Sequence, residues 1–203
     1  MAKLNAQQLA FLESQGIPLD YVLDGAGMRR SAYVAKMEAE GKYFAFGVKP
    51  CAKGGHSIRN RNGDCIECNT AYIAYARRFW ETSNVYIAGS LDAQLIKVGL
   101  SNDCDKRVRQ LNGMAYGGVV DWRLLGNINT EEAGRIEFHI HERLKSKLKE
   151  VQYLKQGRLQ SSSECFSCSY CEAKNYLLEM YEEPDLVQYE EHAWAQDYVF
   201  LLE

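Results

Sequence analysis

Side chains that commonly ligate metals crowd one stretch of the chain, "CAKGGHSIRNRNGDCIEC", which supplies Cys51, His56, Cys65 and Cys68. Three thiols and an imidazole are a donor set that tetrahedral Zn²⁺ takes. The C-x-x-C turn lets two thiolates converge on one ion while backbone N–H groups stabilise their charge. Four protein ligands leave no open position for water, so this zinc is expected to be structural rather than catalytic. The segment holds few apolar residues to offset the entropy of ordering it, which is the role a metal would fill. It also carries Lys49, Lys53, Arg59, Arg61, Arg77 and Arg78 against Asp64 and Glu67. Such a basic loop is either a phosphate-contacting surface or a solvated finger joining the two halves of the chain.

A second set of candidates lies in "VYIAGSLDAQLIKVGL", Val85 to Leu100. Alternation puts Val85 and Ile87 on one face of a first strand and Ile96, Val98 and Leu100 on one face of a second. Pairing those apolar faces aligns Ile87 with Ile96 or Val98, and either register brings Tyr86 and Lys97 together on the other face, the one the core does not need. A cation near a phenol favours the phenolate, so Tyr86 is a candidate base with Lys97 as its electrostatic partner. The bland alternative is a half-exposed aromatic beside a solvated lysine.

These side chains need elements to hold them. "SNDCDKRVRQLNG" reads as a helix capped by Asn102 or Asp103 and stopped near Gly113, with Cys104, Val108 and Leu111 buried and Arg107 beside them. "EEAGRIEFHIHERLKSKL" puts Ala133, Ile136, Ile140 and Leu144 on one helical face, with Glu137 and His141 at or within its edge. A carboxylate there costs desolvation unless it meets a cation, a donor or a metal; Arg135 and His141 are the neighbours at hand. Upstream, "NAQQLAFLESQGI" and "MRRSAYVAKMEAEGK" have helical spacing, Pro18 opens a short helical stretch between them, and Gly25 and Gly27 interrupt. This N-terminal cluster is either a helix-turn-helix-like reader or a packing element. Cys165, Cys168 and Cys171 form C-x-x-C-x-x-C, but "CEAKNYLLEM" continues as a helix with Leu177 and Met180 inward, so buried, unliganded cysteines are expected, Cys104 included. The acidic end, with Trp194, Tyr198 and Phe200, is expected to pack on the domain as an amphipathic helix or edge strand.

Composition bounds the class. The chain has 203 residues, 46% of them hydrophobic and 25% charged, with a formal net charge of −3, so the sum of charge gives no pull toward nucleic acid and the distribution matters more. An apolar run of the roughly 20 residues needed to cross a bilayer is missing, as is a leader-like start. With an odd count of seven cysteines, the expectation is a cytoplasmic protein with reduced thiols, no membrane association and some cysteines on metal.

The ordered set "VYI", "KVG", "KRVRQL" and "GRIEFHIHERL" resembles the GIY-YIG nuclease superfamily, in the phage-associated variant where lysine replaces the second tyrosine, over about Asn84 to Leu178. The resemblance implies an α+β fold, a small mixed or antiparallel sheet flanked by helices. From the resemblance together with the composition and spacing of the rest of the chain, the expected division is an N-terminal helical segment (1–48), a zinc-finger-like module (49–80), a nuclease domain (84–182) and an acidic C-terminal tail (183–203). The resemblance implies a DNA endonuclease in which Tyr86 activates water, Arg107 binds the scissile phosphate, Glu137 holds Mg²⁺ or Mn²⁺, and Lys97 takes the second tyrosine's place. "GIY" stands here as "NVYI" and "YIG" as "KVG". Leu111 occupies a position where some members have histidine, for which His141 is the substitute. "SSSECFSC" resembles the variant's closing E-x-F element, with Glu164 and Phe166 on a strand and turn packed against the core. DNA is the implied partner, and one active site must act twice or work as a homodimer to break both strands. The alternatives are a non-cleaving DNA-binding or adaptor protein of the same fold, and an interaction protein assembled through its terminal segments.

Overall fold

In the computed structural model, which describes residues 3–155 and 157–200, the hairpin forms in one of the two expected registers: Ile87 pairs with Val98 and Tyr86 with Gly99. Its strands, β4 (Ser83–Ser90) and β5 (Leu95–Ser101), are the centre of a six-stranded antiparallel sheet. The other strands are β6 (Arg123–Thr130), β7 (Leu148–Lys155), β8 (Arg158–Phe166) and β9 (Glu190–Glu191), in the order β7-β8-β5-β4-β6-β9. Ser90 and the amides of Leu91 and Asp92, at the hairpin turn, donate to the Asp121 carboxylate at 2.5, 2.8 and 3.0 Å.

Both faces of this sheet are covered, and here the structure departs from the expectation of a face the core does not need. On one face, α5 (Ala133–Arg143) and α6 (Tyr170–Leu178) bury Ile136, Ile140, Ala173 and Leu177 against Val85, Ile87, Ile96 and Val98. On the other, α4 (Cys104–Gly113) packs Val108 and Leu111 with Trp122 and Tyr116 around Tyr86. A two-residue alternation shows that the faces differ in polarity, not that the more polar one is wet. Asp103 caps α4, accepting from the Lys106 amide at 2.8 Å.

The chain divides into two compact units, Met1–Arg77 and Arg78–Glu203. Besides α1 (Ala6–Ser14), α2 (Arg30–Ala39) and α3 (Ala74–Arg77), the first holds a small sheet of β1 (Val22–Asp24), β2 (Phe44–Phe46) and β3 (Arg59–Asn60), so its N-terminal part is not helical throughout. Pro18 opens a single 3₁₀ turn that runs into β1. These strands escape a periodicity reading because two or three residues cannot show alternation. Leu23, Tyr33, Met37, Ala45 and Val48 form a small core there. In the second unit the acidic end becomes the edge strand β9 on β6, followed by a 3₁₀ turn whose Trp194 indole donates to the Leu124 carbonyl at 2.8 Å. Cys104, Cys165 and Cys168 are buried as expected, whereas Cys171 is exposed. Among the described residues no helix is long and apolar enough to cross a membrane.

Candidate active site and metal centre

The Cys/His group assembles in the first unit: one ligand atom from each of Cys51, His56, Cys65 and Cys68 lies within 4.8 Å of all the others. The Cys51 and Cys68 sulfurs are 3.6 Å apart, and His56 Nδ1 stands 3.3 Å from Cys68 and 3.7 Å from Cys65. Zinc–sulfur and zinc–nitrogen bonds of ordinary length give tetrahedral edges of roughly 3.5 Å, so this group can hold a zinc ion. The Gly54 amide donates to the Cys51 sulfur at 3.2 Å and holds that thiol down, to about 6. Cys68, crowded by the Cys65 sulfur, is pushed up to about 11. Cys51 and Cys68 are thus pushed in opposite directions, and a divalent cation would favour the thiolate at both.

Most of the loop's basic side chains have structural work. Arg59 is buried and donates to the carbonyls of Lys49, Ile58 and His56. Arg61 donates to the Lys42 carbonyl at 2.8 Å and its guanidinium lies over the Tyr43 ring. Arg77 donates to the Gln15 carbonyl, and Arg78 pairs with Glu137. Lys49 and Lys53 stay exposed, so the loop offers phosphate less charge than its composition suggests.

In the second unit Tyr86 and Lys97 do share a face, and both are fully buried. The Tyr86 ring lies across its register partner: a Cβ at Gly99 would come within 2.9 Å of the Tyr86 hydroxyl, so glycine is what lets the ring sit there. Arg107, projecting from α4, reaches that hydroxyl. The Lys97 ammonium meets the Glu164 carboxylate at 2.5 Å and lies 5.1 Å from the centre of the Tyr116 ring. Burial alone would favour neutral lysine, but Tyr86, Glu164 and Tyr116 outweigh it and hold the ammonium charged. Burial likewise opposes the Glu164 anion, and Lys97 more than compensates, keeping its pKa below the usual carboxylate range.

The ladder next to this group is short: among the described residues β8 pairs with β5 at Ile96 and Lys97, where the pairing breaks off. At the next position, Val98, the carbonyl accepts from His141 Nε2 at 3.3 Å. A carbonyl can only accept, so Nε2 carries the proton and, in the neutral ring, Nδ1 is the basic nitrogen. Burial pushes the His141 pKa down and favours that neutral ring. On the same helix Glu137 is buried, but its partner is Arg78 rather than Arg135 or His141; Arg135 pairs instead with Glu132. Burial raises the Glu137 pKa, with Arg78 opposing and Glu164 adding to the rise. Glu137 is therefore within electrostatic reach of Glu164 and Lys97. Of the five residues singled out in the sequence, Tyr86, Lys97 and Arg107 meet on the α4 side of the sheet, while Glu137 and His141 come from α5 on the other face and are linked to them by the electrostatic reach of Lys97 and Glu164.

Two participants were invisible as such in the sequence. Arg78 stood there as one of several loop cations, and Glu164 as part of a packing strand; their partners lie 59 and 67 residues away. Glu137, at the edge of an apolar helical face, did announce that some counter-charge was required, whereas Lys97, expected on a face the core does not need, did not.

Residues 83–180 match the family model of the T5orf172 domain. This corrects the resemblance to the GIY-YIG superfamily, since T5orf172 is a different domain family and no GIY-YIG model matches. The short strand motifs misled for a physical reason: a tyrosine lying across a cross-strand glycine is a packing solution any hairpin can use. The T5orf172 domain is associated with nuclease-like and DNA-binding functions. No curated protein and no solved structure matches the chain.

Proposed function

We propose that the second unit is a metal-dependent DNA endonuclease domain that hydrolyses phosphodiester bonds at the break between β5 and β8. The observation that supports this is the linked group of Tyr86, Lys97, Arg107 and Glu164, with Glu137 in electrostatic reach of Glu164 and Lys97, in a domain whose matched family is associated with nucleic-acid chemistry. Tyr86 acts as general base on the attacking water, and Lys97 stabilises negative charge beside it. Arg107 binds the scissile phosphate, for which a planar guanidinium is suited. His141, with Nε2 engaged by Val98, offers Nδ1 as a second proton acceptor.

Glu137 is the residue that would hold Mg²⁺ or Mn²⁺. Arg78 takes Oε2, leaving one oxygen of this carboxylate, with Glu164 in electrostatic reach. That is too few donors for an all-protein cage but fits an ion that keeps several waters and completes its shell with substrate phosphate. When bound, the ion would supply Lewis-acid stabilisation of the leaving oxygen.

In the same proposal the chain keeps the division into a segment at 1–48, a zinc module at 49–80 with structural Zn²⁺, a nuclease domain at 84–182 and a tail at 183–203, with a homodimer delivering the second cut. A specific observation favours the alternative, a non-cleaving DNA-binding or adaptor protein: the Arg78 guanidinium already sits on the carboxylate a metal needs. Supercoiled plasmid incubated with the full chain, with Mg²⁺ or with chelator, separates them. Nicking that requires the metal supports the nuclease; a salt-sensitive DNA shift without nicking selects the adaptor.

A further inference from the structure

We propose that Arg78 occupies the cation place at Glu137 and yields it to the divalent metal, which frees the guanidinium for the substrate's phosphate; this rests on the metal-dependent reading above. A buried carboxylate requires a counter-cation, and the Glu137 side chain is only 5% exposed. Arg78 is the cation paired with it, and at 32% exposure its side chain has a route to solvent.

The backbone beneath is fixed. The Gly134 amide, in the first turn of α5, donates to the Arg78 carbonyl at 2.7 Å, and a Cβ on Gly134 would come within 2.6 Å of that same oxygen. Glycine thus lets the segment dock against the helix that carries Glu137 and pins the Arg78 carbonyl, so that any change of partner falls to the side chain, whose guanidinium lies 5.7 Å from the centre of the Phe79 ring. A dication and a guanidinium on one carboxylate repel each other, so the arrival of one weakens the hold of the other. A substrate phosphate arriving with the metal would supply the negative charge to which the released guanidinium can turn, as a planar fork suited to phosphate oxygens. Arg78 would then guard Glu137 in the resting protein and change partners on loading.

The test is a Mn²⁺ titration of the zinc-loaded full chain, followed by electron paramagnetic resonance of the free ion, with no activity readout. Arg78→Gln removes the competing charge and should tighten Mn²⁺ binding about five- to tenfold, a coupling of ordinary size between two ligands. Arg78→Lys, which keeps the charge on a different stem, should fall between the two, and it carries the test if the glutamine variant does not fold. Glu137→Gln should abolish the gain. Equal or weaker binding in the Arg78 variants, with the Glu137 dependence intact, overturns the role of Arg78 and leaves the metal-dependent reading standing. Absence of Glu137-dependent binding in every protein removes the metal, and both proposals with it.

Discussion

At the scale of residues, the ion pairs show how burial turns ordinary side chains into an interdependent group. Lys97 is fully buried while the Glu164 side chain is 44% exposed. Glu164→Gln leaves the buried ammonium without its anion and should cost about 2 kcal/mol, less than the ~3–5 of a wholly buried pair because water screens the exposed partner. Lys97→Met removes the charge and keeps the volume, and should cost less. Added to Lys97→Met, Glu164→Gln should then cost almost nothing, measured by urea unfolding of the two singles and the double. Additive losses would show that Glu164 is held by something other than Lys97. Tyr86, Lys97, Arg107 and Glu137 were legible in the sequence because each sits where a periodic element makes its side chain conspicuous. Arg78 and Glu164 were not, because an ion-pair partner across 59 or 67 residues leaves no local spacing.

At the scale of elements, the helices that carry the site were legible and part of the sheet was not. The buried stripes of α4 and α5 fall on the residues that a 3.6-residue period selects. β7 went unread because "LKEVQYLK" alternates too weakly to separate a strand from a polar connection, and β1 and β2 because three residues are too few. Side-chain chemistry also fixes the connection between β4 and β5. Burial raises the Asp121 pKa, but donations from Asp92, Ser90 and Leu91 prevail and leave it lowered. A carboxyl with a depressed folded-state pKa contributes stability that is fully present above its unfolded value, near 4, and lost as pH falls through the folded one. Melting temperatures followed from pH 7 to pH 3 should therefore drop less steeply in Asp121→Asn than in wild type. Parallel profiles would mean that the turn does not depend on this charge.

At the scale of the whole molecule, the two units rest on different physics. The second buries two apolar layers on a six-stranded sheet, and among its described residues no Cys/His group with metal-ligand spacing gathers. The first buries Leu12, Phe44, Ile58, Ile66 and Ile73 beside the cluster that holds Leu23 and Met37, and adds a Cys/His group that a cation can tie together. Zinc chelation should accordingly make 1–77 sensitive to protease while 78–203 stays protected, as read by mass spectrometry of the fragments. Equal protection of both units after verified metal removal would show that the Cys/His group is not what holds the first together. Composition already hinted at this asymmetry. The covering of the second sheet face was not legible, because it depends on Trp122 and Tyr116, aromatic residues outside any regular strand or α-helix, closing over Tyr86.

The central claim, that the second unit carries a nuclease site built on Glu137, is tested most directly by plasmid cleavage with Glu137→Gln beside wild type in Mg²⁺. Both proteins should shift DNA equally at low salt, and the variant should nick supercoiled plasmid at least ~10²-fold more slowly, the scale expected when a centre of transition-state stabilisation is removed. A Glu137→Gln protein that cuts at the wild-type rate would contradict the account.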